Sequence, residues 1–192
     1  MAHERFDDFK DTLNRTLNKT VSQARLQVVL PARHARTAVI THVLQGRYRE
    51  FSSIPLVNGH YLTALMEVRL TPQGVTTDKT AIAYRRSPEL YGEDWIFRYE
   101  YERKQAAESD YAYPISHLHV NASPQYYAGK KPFPDLHLPT RRLSLEEIIR
   151  HLILEHDVPT LGSVEEALRF LDDQQADFER NRTDSGRPIS PP

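Results

Sequence analysis

The chain contains no cysteine among its 192 residues. That excludes a disulfide framework, a thiolate metal site and a cysteine nucleophile, so any metal must rest on histidine and carboxylate. No stretch approaches the roughly 18 consecutive apolar residues a membrane-spanning helix needs, so no membrane partner is expected. The opening MAHERFDDFKD lacks a basic region followed by an apolar run, so no secretory leader is expected and the cytoplasm is the expected location. Glycine is scarce at 7 residues, and neither a Gly-rich phosphate loop nor an internal repeat is present. What remains is ordinary for a globular protein: 39% hydrophobic and 27% charged residues. That length fits one domain over residues 1–182, followed by a Pro- and Gly-containing tail over 183–192 that reads as disordered.

The net charge of -1 conceals a segregation. From Thr12 to Arg49 there is no acid, whereas Arg15, Lys19, Arg25, Arg33, Arg36, Arg47 and Arg49 are present. From Ser144 to Asn181 acids dominate, with Glu146, Glu147, Glu165, Glu166, Asp172 and Asp173 among them. The basic segment either faces nucleic acid or balances the acidic one within a single domain.

Apolar residues spaced by three and four, Phe6, Phe9, Leu13, Leu17, Val21 and Ala24, predict a helix from about Glu4 to Arg25. Leu26 to Leu30 and Thr37 to Leu44 read as a hairpin of two strands. Tyr61 to Leu70, a segment near Lys79 to Arg86, Trp95 to Arg103 and Ser116 to Asn121 read as further strands. Ser144 with Glu147, and Ser163 with Glu166, have capping-box spacing and open two C-terminal helices, the second running to about Asn181. Strands between terminal helices predict an α+β fold. Its mostly antiparallel sheet is flanked by one N-terminal and two C-terminal helices.

The strand Trp95 to Arg103 alternates cleanly. Trp95, Phe97, Tyr99 and Tyr101 fall on one face, read as sheet core, and Ile96, Arg98, Glu100 and Glu102 on the other. In Ser116-His117-Leu118-His119-Val120 the two histidines are two apart and project to one face. Such a pair serves as ligands of a divalent metal, as a metal-free acid–base pair, or as hydrogen-bonded histidines without chemistry. Either chemical role needs a third group, for which Glu100, Arg98 and His137 are the nearest candidates and His42 and His60 more distant ones. His42 itself reads as a core histidine, and His151 and His156 as structural residues at the end of an acidic helix.

The segment SPQYYAGKKPFPDLHLP reads as a loop by its prolines. Its Tyr126, Tyr127, Lys130 and Lys131 combine stacking surfaces with cations, as single-stranded nucleic acid requires, or else the aromatics pin the loop to the domain. Arg141 and Arg142, just before the capped helix, are further candidates for phosphate contacts.

The stretch Phe97-Arg98-Tyr99-Glu100 followed by Pro114-Ile115-Ser116-His117-Leu118-His119 resembles the TumE-like toxin family of small bacterial proteins and related families. The resemblance implies a toxin–antitoxin or defence setting, a nucleic-acid target and a protein partner such as an antitoxin. The positions it carries over are Arg98, Glu100, His117 and His119. The long N-terminal helix, the basic segment and the capped helices depart from the family pattern. The resulting expectation is an RNA-directed endoribonuclease using His117 and His119 with Arg98 on the phosphate. The rival expectation is a non-catalytic binding or assembly subunit whose acidic helices meet another protein.

Overall fold

The computed structural model describes residues 2–30, 36–44, 50–90, 94–103, 116–120 and 137–181. Helix α1 (Ala2–Thr20) buries Phe6, Leu13 and Leu17. It stops four residues before its apolar stripe does. The amides of Val21 and Ser22 both donate to the Leu17 carbonyl, and the Ser22 hydroxyl donates to Pro55 O while accepting from the Ala24 amide. Local side-chain bonding by serine thus competes successfully with another helical turn. Asn14 then grips the strand that follows: its amide donates to Leu26 O at 3.2 Å and its oxygen accepts from Leu26 N at 2.7 Å.

That strand, β1 (Leu26–Val29), pairs with β2 (Thr37–Leu44), the hairpin expected from sequence. Two short pieces without a sequence signal, β3 (Glu50–Phe51) and β4 (Ile54–Pro55), pair with β2 and with β5 (Tyr61–Thr71). A tight turn joins β5 to β6 (Gly74–Arg85), with Gly74 at φ 140°, a conformation open to glycine but strained for other residues. The strand β6 begins five residues earlier than its apolar pattern suggests. A bulge opposite Glu67 and Val68 leaves Asp78 as an extra residue that breaks the alternation. Asp78 accepts two bonds from Arg69, at 2.7 and 2.9 Å, which holds the bulge in place.

The sheet continues through β7 (Trp95–Glu102), β8 (Ser116–Val120) and β9 (His137–Pro139). Its order is β1-β2-β5-β6-β7-β8-β9, and every pairing is antiparallel. The segment read as a loop ends in β9, which among the described residues is an edge strand, a position that tolerates Pro139.

Helix α2 (Leu145–Glu155) starts at the expected capping box. The Ser144 hydroxyl accepts from Glu147 N, and the Glu147 carboxylate accepts from Ser144 N. It ends at Glu155 with His156 as its C-cap, and Asp157 just beyond adopts the left-handed φ of 49°, so the break precedes Pro159. Helix α3 (Val164–Asn181) begins with Ser163 Oγ accepting from Glu166 N. All three helices share one core with Ile40, Leu62, Ala64, Met66, Ile82, Tyr84, Phe97, Tyr99 and Tyr101. The α+β fold with an antiparallel sheet between one N-terminal and two C-terminal helices is therefore the observed architecture. With the helices on one face, the opposite face of β5 to β9 is the one on which polar groups gather. The tail over 183–192 lies outside the described residues.

Candidate functional site

Two cross-strand rows build the site. One runs Thr63, Ala83, Arg98, His119, His137, and the next runs Leu65, Ala81, Glu100, His117, Pro139, each residue paired with its neighbour on the adjoining strand. Directly paired residues share a face, so the register itself brings Arg98 and Glu100 beside His119 and His117. On β6 the same rows carry only alanine, which leaves Arg98 and Glu100 as the tall side chains next to the histidines. The alternate residues Phe97, Tyr99 and Leu118 turn to the helix side and anchor β7 and β8 in the core.

His117 and His119 are both buried, at 8% exposure each, an unusual place for paired imidazoles without a partner. The partner is Glu100. Its Oε2 lies 3.3 Å from His117 Nε2 and 3.5 Å from His119 Nε2, and the imidazole centroids stand 4.9 Å apart. One ligand atom from each of Glu100, His117 and His119 lies within 4.8 Å of the other two. The other carboxylate oxygen, Oε1, faces Arg98 Nε at 3.1 Å, and Arg98 Nη2 reaches within 3.5 Å of His119 Nε2. The hydrogen bond from His119 holds the Glu100 carboxyl down to about 2. Burial opposes that shift, and the charges of Arg98 and of both imidazoles add to it. Glu100 is therefore ionised at any physiological pH.

Trp95 overturns the simple alternation of β7. Tyr84 pairs with Phe97 and Arg85 with Trp95, so Ile96 is the extra residue of a bulge. Ile96 packs against the core, while Trp95 leaves it for the face of Arg98. The indole meets the His119 ring edge-on at 6.2 Å, and the Arg98 guanidinium lies 5.6 Å over it. Bulges re-aim side chains beside active sites, and periodicity alone carries no sign of one. Its partner Arg85 likewise carries no signal in the sequence pattern. It is buried at 4% exposure, where it donates to Glu89 O, Leu90 O and Asp94 Oδ1 at 2.8, 2.7 and 3.2 Å.

The remaining candidates go elsewhere. His137 occupies the β9 position paired with His119, in a strand and not in a loop. His42 bonds through Nδ1 to Arg25 O at 2.9 Å. His60 Nδ1 lies 2.6 Å from the Tyr84 hydroxyl on the helix side of the sheet. There His156 stacks on Tyr84 and Phe97, and His151 meets both Phe97 and His156. Arg141 is bonded to Glu147 and faces Glu179, while Arg142 lies over the rings of Tyr101 and Phe178. Arg142 thus joins α3 to β7, and Arg141 joins the segment before α2 to α2 and α3. Tyr126, Tyr127, Lys130 and Lys131 lie outside the described residues.

Comparison of the chain with protein-family models, with curated proteins and with solved structures gives no match. Among the described residues, no helix is long and apolar enough to cross a membrane.

Proposed function

We propose that the chain is a divalent-metal-dependent phosphodiester hydrolase acting on RNA, with His117, His119 and Glu100 as the metal ligands. The observation that carries this reading is the convergence of two imidazole Nε2 atoms on one oxygen of a single ionised carboxylate. Two nitrogens and one carboxylate oxygen suit zinc or a similar ion better than magnesium or calcium, which prefer all-oxygen sites. Arg98 holds the other carboxylate oxygen, the kind of outer contact that orients a metal ligand.

The same geometry disfavours metal-free acid–base catalysis. In that mechanism one imidazole takes a proton and the other delivers one on opposite sides of the phosphorus. Here both Nε2 atoms face the same negative oxygen, where an anionic phosphate would be repelled. His117, His119 and Glu100 would hold a cation there, which would supply Lewis acidity toward water and a phosphoryl oxygen. In the hydrolysis, the water oxygen bonds to phosphorus as the bond to the leaving sugar oxygen breaks, and a water proton ends on that oxygen. Arg98 lies where it can face the charge that develops on the phosphoryl group.

RNA is favoured as substrate by the acid-free run from Thr12 to Arg49 and by the aromatic and lysine residues over 126–131. The resemblance to the TumE-like family points the same way, and adds the bacterial cytoplasm as location and an antitoxin as protein partner. The test is incubation of the purified chain with a mixed RNA pool, with zinc or with EDTA, beside the His117→Ala/His119→Ala form. Cleavage by the wild type that EDTA and the double substitution both abolish is the expected result. Cleavage that survives EDTA would return the site to metal-free acid–base chemistry. No cleavage under any condition would favour the binding subunit.

A further inference from the structure

Trp95 stands beside the histidine site without being one of its candidate metal ligands. It is the single tryptophan of the chain, and a bulge in β7 removes it from the core, where burial would have stabilised it, to the wall of the histidine site. The indole is only half-buried there, with Arg98 over one face and His119 at its edge. A large flat ring beside the donors proposed to act on a phosphate is placed as a stacking partner for a flat group attached to that phosphate. Its 6.2 Å separation from His119 is of the same order as the distance from a nucleobase to its own phosphate.

We propose that Trp95 is the surface on which a nucleobase stacks, so that the site selects phosphate esters of nucleosides over esters of bare sugars. This rests on the phosphodiester reading given above. It assigns a specificity-determining residue, not a catalytic one. Stacking between a base and an aromatic side chain tolerates any base, so the selection is for the presence of a base and not for its identity. Arg98 would serve both ends of the nucleotide, through cation–π contact with Trp95 and through charge at the phosphate.

The single indole makes the test direct, because its fluorescence reports on this position alone. Adenosine monophosphate, ribose 5-phosphate and inorganic phosphate are titrated into wild-type protein, with zinc and separately with EDTA. Adenosine monophosphate is expected to quench the fluorescence and to bind about ten-fold more tightly than ribose 5-phosphate. By calorimetry, Trp95→Leu is expected to erase that difference between the two esters, and Trp95→Phe to restore most of it. Equal affinities for the two esters in the wild type, a difference that persists in Trp95→Leu, or no binding of adenosine monophosphate would each overturn the assignment. The wild-type comparison needs no variant and decides the matter even where Trp95→Leu fails to fold. Base selection that is indifferent to zinc and EDTA would sink the metal reading and keep this one. Zinc-dependent RNA cleavage without base selection would do the reverse.

Discussion

The Leu143 amide donates to the hydroxyl of Tyr99 at 2.9 Å, across the boundary between β7 and the segment that leads into α2. Tyr99 is fully buried, and its hydroxyl also lies 3.3 Å from Ser116 Oγ, the first residue of β8. One oxygen therefore joins the strand of Glu100, the strand of His117 and the start of a helix. Replacing Tyr99 by Phe keeps the ring but leaves the Leu143 amide without this acceptor. We expect a loss of about 1–2 kcal/mol in urea unfolding. Because the substitution acts from the core side, zinc affinity should change far less than stability. A variant as stable as the wild type would show that the hydroxyl bonds contribute nothing net.

Glu100 tests the candidate centre most cleanly, since Gln keeps its size and removes its charge. Loss of one ligand should weaken zinc binding by at least about 100-fold, beyond the 10- to 100-fold typical of outer-contact changes. Asp, one methylene shorter, should bind zinc at an affinity between Glu and Gln. The readout is calorimetric titration of zinc into folded protein, with folding checked by circular dichroism. Glu100→Gln protein that binds zinc as tightly as the wild type would remove Glu100 from the ligand set.

Periodicity was sufficient for much of this. The facing of His117 and His119, and of Arg98 and Glu100, follows from alternation along two strands. The capping box at Ser144 and the Ser163 hydroxyl that accepts from Glu166 N are local chemistry with a fixed spacing. Register across strands is a different kind of information, because it depends on bulges and on pairing partners remote in the chain. For that reason Glu100 could be offered as a third group beside Arg98 and His137 but not selected among them. Alternation places Trp95 in the core because the sequence carries no sign of the bulge at Ile96. Apolar spacing overextends helix α1 because Val21 is buried by tertiary packing and not as part of a helical stripe. The partners of Arg141 and Arg142 lie on α2, α3 and β7, at separations that no motif encodes.

Arg85 and Asp94 support the bulge that presents Trp95. Burial pushes the Arg85 guanidinium down, Asp94 pulls it back up, and the charge of Arg98 adds to the lowering. Replacing Asp94 by Ala removes one acceptor of a buried cation while the Glu89 and Leu90 carbonyls remain. The expected cost is roughly 1.5–3 kcal/mol, the range for a hydrogen bond to a charged group. The measurement is the shift in urea midpoint, paired with the fluorescence maximum of Trp95, which should move to longer wavelength as the bulge loosens. An unchanged midpoint and spectrum would show that the loop carbonyls suffice.

The imidazoles on the helix side predict a dependence of stability on pH. His156 caps α2 and packs on Tyr84 and Phe97. Burial pushes its pKa below the ordinary 6.5, the charges of His151 and His60 add to the lowering, and Glu155 and Asp157 oppose it. The fold thus favours neutral His156. Above pH 6.5 both folded and unfolded chains leave it neutral, and its contribution to stability is fully present. As pH falls below that value, the unfolded chain takes up a proton that the folded chain resists, and stability declines down to the lowered folded pKa. Urea unfolding at pH 7.5 and 5.5 should therefore show a lower midpoint at the acid value, and His156→Phe should flatten that difference while keeping a ring against Phe97. His151→Gln should flatten it less, because it removes only a neighbouring charge. An acid loss of stability that His156→Phe leaves unaltered would assign the proton uptake to another group.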